Sequence, residues 1–239
     1  DKDGHFTLDY VSNVAQYTPI FVRSIWLALI STVICLLIAY PLAYILIGMN
    51  TNIQSTMLMI VMLPMWMNFL LRTYAWMALL GNNGLINALL GLVGLGPFKM
   101  LNTEGAVVLG MVYNYLPFMI LPIYSVMVKI DKSVLEAAAD LGCNPAKTML
   151  KVVFPLSLPG VFSGITMVFV PAISTFIISR MLGGGGNLLI GDLIEMQFLG
   201  NSYNINLGAA ISLVLMVIVL LIMTILNQFG ADDDGVMVI

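Results

Sequence analysis

The stretch "SVLEAAADLGCNPAKTMLKVVFP", residues 133–155, lies between two long apolar runs and is polar, rich in alanine and helix-forming. Ser133 and Glu136 have the spacing of a capping box, in which the hydroxyl and the carboxylate each accept from the other residue's backbone amide. Ala137, Ala138 and Ala139 favour helix and add little bulk. Gly142 stands where a left-handed residue ends a helix, and Asn144 before Pro145 starts a second one. Pro155 and Pro159 bracket the entry to the next apolar run. The pattern predicts two short helices with a break between them. Its nearly bare alanine face suits docking into a partner's groove, where bulkier side chains hold backbones apart.

The rest of the chain is of another kind. Of its 239 residues, 60% are hydrophobic and only 9% charged, against about 25% charged in a soluble domain, so the chain belongs in lipid. Crossing the hydrocarbon core takes about 20 mostly apolar residues. Five stretches qualify, near 24–48, 55–81, 105–129, 157–182 and 207–230. The fold class expected is therefore all-α: a polytopic transmembrane helical bundle, read as a single domain over residues 1–239. Pro41, Pro64, Pro117, Pro122 and Pro171 fall inside these spans. They kink helices, which lipid tolerates where neighbours satisfy the freed carbonyls; transport and simple packing both use such kinks. Gly105 with Gly110, and Gly160 with Gly164, have the spacing of close helix contacts. Residues 49–54 read as a short turn, 82–104 as a loop carrying a short interfacial apolar segment, and 183–206 as a loop opening on a flexible glycine run.

Several function classes fall away. A net charge of −3 offers no basic stripe for nucleic acid. His5 is the sole histidine, and Cys35 and Cys143 form no CxxC or disulfide framework. No metal site and no catalytic residue is therefore assigned. The run Gly183–Gly186 lacks the Lys-Ser/Thr of a phosphate-binding loop, so ATP chemistry belongs to a partner. No Asp or Glu lies within a span, which argues against a proton-driven exchanger. Charge leaves the orientation open: Lys129, Lys132, Lys147 and Lys151 sit around the polar insert, while Lys2, Lys99, Arg23 and Arg180 sit at the other ends of the spans.

The insert resembles the EAA loop of the membrane-spanning subunits of bacterial ABC importers, with Glu136, Ala137, Ala138, Gly142, Val152, Phe154 and Pro155 at that family's spacing. Together with "FTLDYV", "LPMWMNFLLRTYAW", "VYNYLPFMILPIYS", "DKSVLEAAADLG" and "GGGGNLLIGDLIEMQFL", nearly the whole chain resembles the spermidine/putrescine importer permeases. The resemblance implies a chain in the bacterial cytoplasmic (inner) membrane whose loop 130–156 and C-terminus are cytoplasmic, with 1–23, 82–104 and 183–206 outside. It implies ATPase coupling through Glu136, Ala137, Ala138, Gly142 and Pro155. Its implied partners are a second related permease, an ATPase homodimer holding ATP and Mg, and an extracytoplasmic polyamine-binding protein; the chain itself is no enzyme and holds no cofactor. The family has six spans, and the one before "FTLDYV" is not in this sequence, so a longer native chain is expected. The tail "ADDDGVMVI" also departs from the basic tail expected. An importer of another small organic solute, or a secondary transporter independent of ATP, is the alternative.

A polyamine in such spans meets aromatic faces and amide oxygens, with cation–π contacts of about 0.5–2 kcal/mol each. Trp66, Asn68 and Trp76 near the Pro64 kink, and Tyr113, Asn114 and Tyr115 beside Pro117, are the path candidates; the bland account makes them interfacial or packing residues. Glu136 is either a helix cap or an acid facing the ATPase. Arg72 is the deepest charge in the spans. It either snorkels to the outer interface or pairs with Asp192 or Glu195, which lie one helical turn apart, to hold an outer gate closed.

Overall fold

A computed structural model describes residues 13–186, 188–200 and 203–231. Lys2, His5, "FTLDYV" and all of the acidic tail but its first residue lie outside the described residues.

After a 3₁₀ turn at Val14–Tyr17 the regular elements among the described residues are helices: α1 (Thr18–Ile47), α2 (Thr51–Trp66), α3 (Phe69–Leu80), α4 (Leu85–Leu92), α5 (Glu104–Met127), α6 (Lys132–Asp140), α7 (Pro145–Thr148), α8 (Phe154–Ile173), α9 (Ile177–Gly183), α10 (Ile190–Leu199) and α11 (Ile205–Ala231). Five segments are long and apolar enough to cross a membrane: Val14–Ile47, Phe69–Leu92, Glu104–Met127, Pro145–Ile173 and Ile205–Leu226. An all-α membrane chain with five such segments is the expected class.

Three of the expected spans have different bounds, the first of them beginning at Val14 and not near residue 24. The 55–81 run breaks at Met67–Asn68. Asn68 accepts from the Leu70 amide at 2.8 Å and so caps a fresh helix. This leaves α2 with 16 residues, about 24 Å of helix against a hydrocarbon core of about 30 Å. The run near 157–182 instead begins at Pro145 and stops at Ile173. Pro171 has already removed one donor there, and the Ser174 hydroxyl takes up the carbonyls of Val170 and Pro171 at 3.2 and 3.4 Å. The chain then restarts as α9. The loop expected over 183–206 carries α10, and the short apolar segment of the 82–104 loop is α4.

The chain forms two compact units. One comprises the described residues within Asp1–Ser31, Met67–Asn114 and Phe169–Ile222; the other comprises those within Thr32–Trp66, Tyr115–Val168 and Met223–Ile239. In the first, Gly110 of α5 admits α9: a Cβ at that position would lie 2.9 Å from Ile178 Cγ2. Asn87 of α4 fixes the following loop, donating to the carbonyls of Gly81 and Phe98 and accepting from the Phe98 amide. In the second unit, α8 presses on α5. A Cβ on Gly160 would meet Pro122 O at 2.8 Å, and one on Gly164 would meet Met119 Sδ at 2.7 Å. Gly105 has only Thr103 Oγ1 near it, at 3.8 Å, so it makes no helix contact of the kind its spacing with Gly110 suggested.

Candidate functional site

The polar insert folds as a capped knuckle. Its first helix starts earlier than expected, because Asp131 and not Ser133 is the cap. The Asp131 carboxylate accepts from the Ser133 amide at 3.0 Å, and that bond holds its carboxyl below the usual range. The capping box from Ser133 to Glu136 is therefore not formed. A charged acceptor at a helix N-terminus is favoured by the helix dipole as well as by the bond, and Glu136 is left solvent-exposed. The helix ends as its sequence demands. Gly142 has φ +79°, its amide donates to Ala139 O at 2.9 Å, and the Cys143 amide donates to Ala138 O at 3.0 Å. These are the two bonds of a Schellman stop. Asn144 accepts from the Lys147 amide at 2.8 Å with Pro145 at the first helical position.

The second short helix does not stand apart. It runs through a π turn, Met149–Val153, directly into α8, which contains Pro155. Ser133, Ala137, Ala138, Leu141 and Cys143 line an open groove of about 550 Å³. Ala138 is buried, Ala137 is exposed, and Leu141 is 85% exposed. Beside the knuckle, the turn at Gly48–Asn52 and the segment Met127–Leu135 border a common cavity of about 810 Å³. Gln54 braces that turn, donating to Met49 O at 2.8 Å and accepting from the Tyr124 hydroxyl at 3.0 Å.

Of the path candidates, Trp76 and Tyr113 come together, edge to face with centroids 5.4 Å apart. Asn114 is buried; its Nδ2 donates to Gly110 O at 2.8 Å while Oδ1 has no partner. Tyr115 is buried as well. Asn68 is the cap described above, and Trp66 is 72% exposed.

The expected pairing of Arg72 with Asp192 or Glu195 is not present. Asp192 Oδ2 accepts from Ser179 Oγ at 2.6 Å and from the Leu189 amide at 2.9 Å. Burial pushes its carboxyl up, against those two bonds and the nearby Arg180 charge. Glu195 pairs with Arg180 through both oxygens, at 2.8 and 2.7 Å. The reason is α9, which brings Ser179 and Arg180 to α10. Arg72 lies instead over the Phe69 ring at 5.8 Å, 8% exposed, with Nε and Nη1 buried and without a hydrogen-bond partner. Two further ties in this unit were not foreseen: Arg23 with Glu104, at 2.6 Å, and Ser24 Oγ accepting from the Ile190 amide at 2.8 Å. A basic residue at each span end was the only signal for the first; nothing in the sequence marks the second.

Fold and knuckle together define a multi-pass, all-α membrane chain with one polar helical insert. Residues 6–229 match the family "Binding-protein-dependent transport system inner membrane component", and the chain belongs to that family. It is 38% identical over 231 residues to the spermidine/putrescine transport system permease protein PotB of Haemophilus influenzae, covering 92% of this chain and 80% of the relative. The protein of that name from Escherichia coli K12 is 37% identical, covering 89% and 78%. The E. coli inner membrane ABC transporter permease protein YdcU is 31% identical, covering 92% and 74%. Among solved structures, a bacterial ABC transporter importing the acidic polysaccharide alginate superposes with TM-score 0.75 at 15% identity, covering 97% of this chain and 85% of that one. The MetNI methionine ABC transporter gives 0.66 at 15% identity, covering 90% and 94%. These structures share the fold.

Proposed function

We propose that the chain is the permease subunit of an ATP-driven polyamine importer, forming with a second related permease the path for spermidine or putrescine. The identity to polyamine permeases over 92% of the chain carries the substrate class, and the knuckle carries the coupling. An ATPase homodimer holding ATP and Mg seats on the knuckle from the cytoplasm, where the C-terminus also lies. An extracytoplasmic binding protein delivers substrate to the side of 82–104 and 183–206. Glu136, Ala137, Ala138 and Gly142 form the seat, and Pro155 lies where it joins α8.

A displacement of the knuckle passes into a span without a hinge, because α7 is continuous with α8. Tyr40 of α1 then ties in, bonding Ser157 at 3.0 Å and packing tilted against the Phe154 ring at 5.5 Å. ATP-driven closure of the ATPase pair thus moves helices, and the chain alternates between outward and inward opening. Along the path a polyamine is met by the Trp76 and Tyr113 rings and the Asn114 amide, at about 0.5–2 kcal/mol per cation–π contact.

The test is reconstitution of the full assembly with candidate binding proteins, each loaded with one ligand. Stimulated ATP hydrolysis with a spermidine- or putrescine-loaded protein is the expected result. Stimulation only by a protein carrying an uncharged or anionic solute would overturn the substrate class, and ligand uptake without ATP would overturn the mechanism.

A further inference from the structure

Helix α4 is built inside out. On a protein surface in water, a helix turns its apolar stripe to the core and its polar residues outward. Here Leu85, Leu89 and Leu92, which share one helical face, are exposed, and the buried residue of the helix is Asn87. Val93, Leu95 and Phe98 beyond the helix are exposed as well. No charged residue occurs between Arg72 and Lys99.

Composition would let Phe69–Leu92 cross a membrane as one piece, but the backbone takes another course. A Cβ on Gly84 would collide with the carbonyl oxygens of Ala78 and Leu79, so the chain has doubled back on the last turn of α3 before α4 begins. One side chain then closes the excursion. Asn87 Nδ2 donates to Gly81 O at 3.1 Å and to Phe98 O at 3.0 Å, and its Oδ1 accepts from the Phe98 amide at 2.9 Å. Residues 81 and 98 thus meet at one amide, and the stretch between them leaves and returns on one side. The eight residues of α4, about 12 Å of helix, are far short of a hydrocarbon core of about 30 Å.

What covers the leucine face follows from its chemistry. A binding protein that docks and departs would return that face to water each time, at the full cost of apolar exposure. A lasting protein interface carries direct hydrogen bonds and a polar rim. The exposed face of α4 has no side chain able to hydrogen-bond, Ala88 and Gly91 completing it. Lipid tails ask for no hydrogen bond, and an apolar helical face followed by a basic residue is the pattern of a helix lying in the membrane boundary.

We infer that α4 with residues 93–98 is a lipid-seated foot. It lies in the boundary of one leaflet with Leu85, Leu89 and Leu92 against acyl chains and the exposed Lys99 at the headgroups. It rests on membrane residence alone and holds for either orientation of the chain. Because α3 packs on α9, the foot fixes the end of that helix pair at the membrane surface. The test uses the full assembly in phosphatidylethanolamine and phosphatidylglycerol vesicles, with Cys143 and the partners' accessible cysteines replaced. A nitroxide on Leu85→Cys, Leu89→Cys or Leu92→Cys should be relaxed several-fold more by oxygen, which concentrates in lipid, than by a water-soluble nickel chelate. On Asn82→Cys, in the exposed turn before α4, the order should reverse. Preference for the chelate at the three leucine positions would overturn the foot by placing that face in water. Protection from both reagents would overturn it by placing a protein there. Should the labelled chains fail to assemble, the wild-type assembly decides, in the same vesicles doped with a phospholipid whose acyl chain carries a diazirine. Adducts within residues 85–98 support the foot, and their absence overturns it.

Discussion

At Gly142 the backbone sits at φ +79°, and a Cβ added there would meet nothing within 4 Å. A substitution is therefore opposed by backbone strain alone, about 1–2 kcal/mol for an L-residue in the left-handed region. Gly142→Val should leave the assembly intact while binding-protein-stimulated ATP hydrolysis falls several-fold, because the angle between α6 and α7 changes. Gly142→Asn, which tolerates that conformation better, should fall between. Wild-type stimulation in assembled Gly142→Val would show that this angle is not the lever. Asp192 gives a residue-scale prediction with a pH sign. Burial raises its carboxyl above the ordinary carboxylate value of 3.8, so its contribution is fully present below that value and is lost as pH rises through the raised one. Asp192→Asn should accordingly raise the thermal midpoint of the assembly at pH 8 relative to wild type, with the gain shrinking toward pH 4. A loss of the same size at both pH values would mean that the bonds from Ser179 and Leu189, and not the charge, set the energetics.

Among the elements, the long apolar runs were legible because a span announces itself over twenty residues; α5 and α11 follow from hydropathy with little error, while α1 starts six residues before the expected bound. The break at Met67–Asn68 was not, since one capping asparagine vanishes in an apolar average over that length. The start of α6 was misread for a different reason: Asp131 and Ser133 both offer a cap, and only their geometry chooses. The stop at Gly142 and the restart at Asn144 and Pro145 were legible, because each residue there has one favoured backbone role. Which acid meets which base was not. Glu195 had three arginines to choose from in the sequence, and the break after Ile173 that delivers Arg180 on α9 is a tertiary outcome. Glycine spacing showed the same limit. Gly160 is a contact of α8 with α5, where a Cβ would lie 2.8 Å from Pro122 O and 3.0 Å from Val126 Cγ2. Gly160→Leu should therefore overpack that contact, costing about 1–3 kcal/mol and lowering the thermal midpoint. Gly105→Leu, with Thr103 Oγ1 at 3.8 Å as its nearest neighbour, should leave the midpoint unchanged. Equal tolerance of both would place the packing of α8 elsewhere.

For the molecule as a whole, the proposed orientation places the knuckle in the cytoplasm beneath an ATPase, and the chain carries its own reporter of that arrangement. It has two cysteines: Cys35 is buried within α1, while Cys143 is partly exposed and lines the knuckle's groove with Ala137, Ala138 and Leu141. A membrane-impermeant maleimide should therefore modify this chain at Cys143 alone. In inverted vesicles stripped of the ATPase, where the cytoplasmic face is outward, labelling should be fast; in right-side-out vesicles it should be absent, and Cys143→Ser should abolish it in both. Rebinding the ATPase should then protect Cys143, because an exposed Leu141 beside a nearly bare alanine face is the surface that a partner's groove would cover. The two arms test different claims. Labelling from the outside would invert the orientation of the whole chain and remove the knuckle from any cytoplasmic partner. Labelling from the inside that is indifferent to the ATPase would keep the orientation but move the docking surface off the alanine face, leaving the uninterrupted run from Pro145 into α8 without a push to transmit.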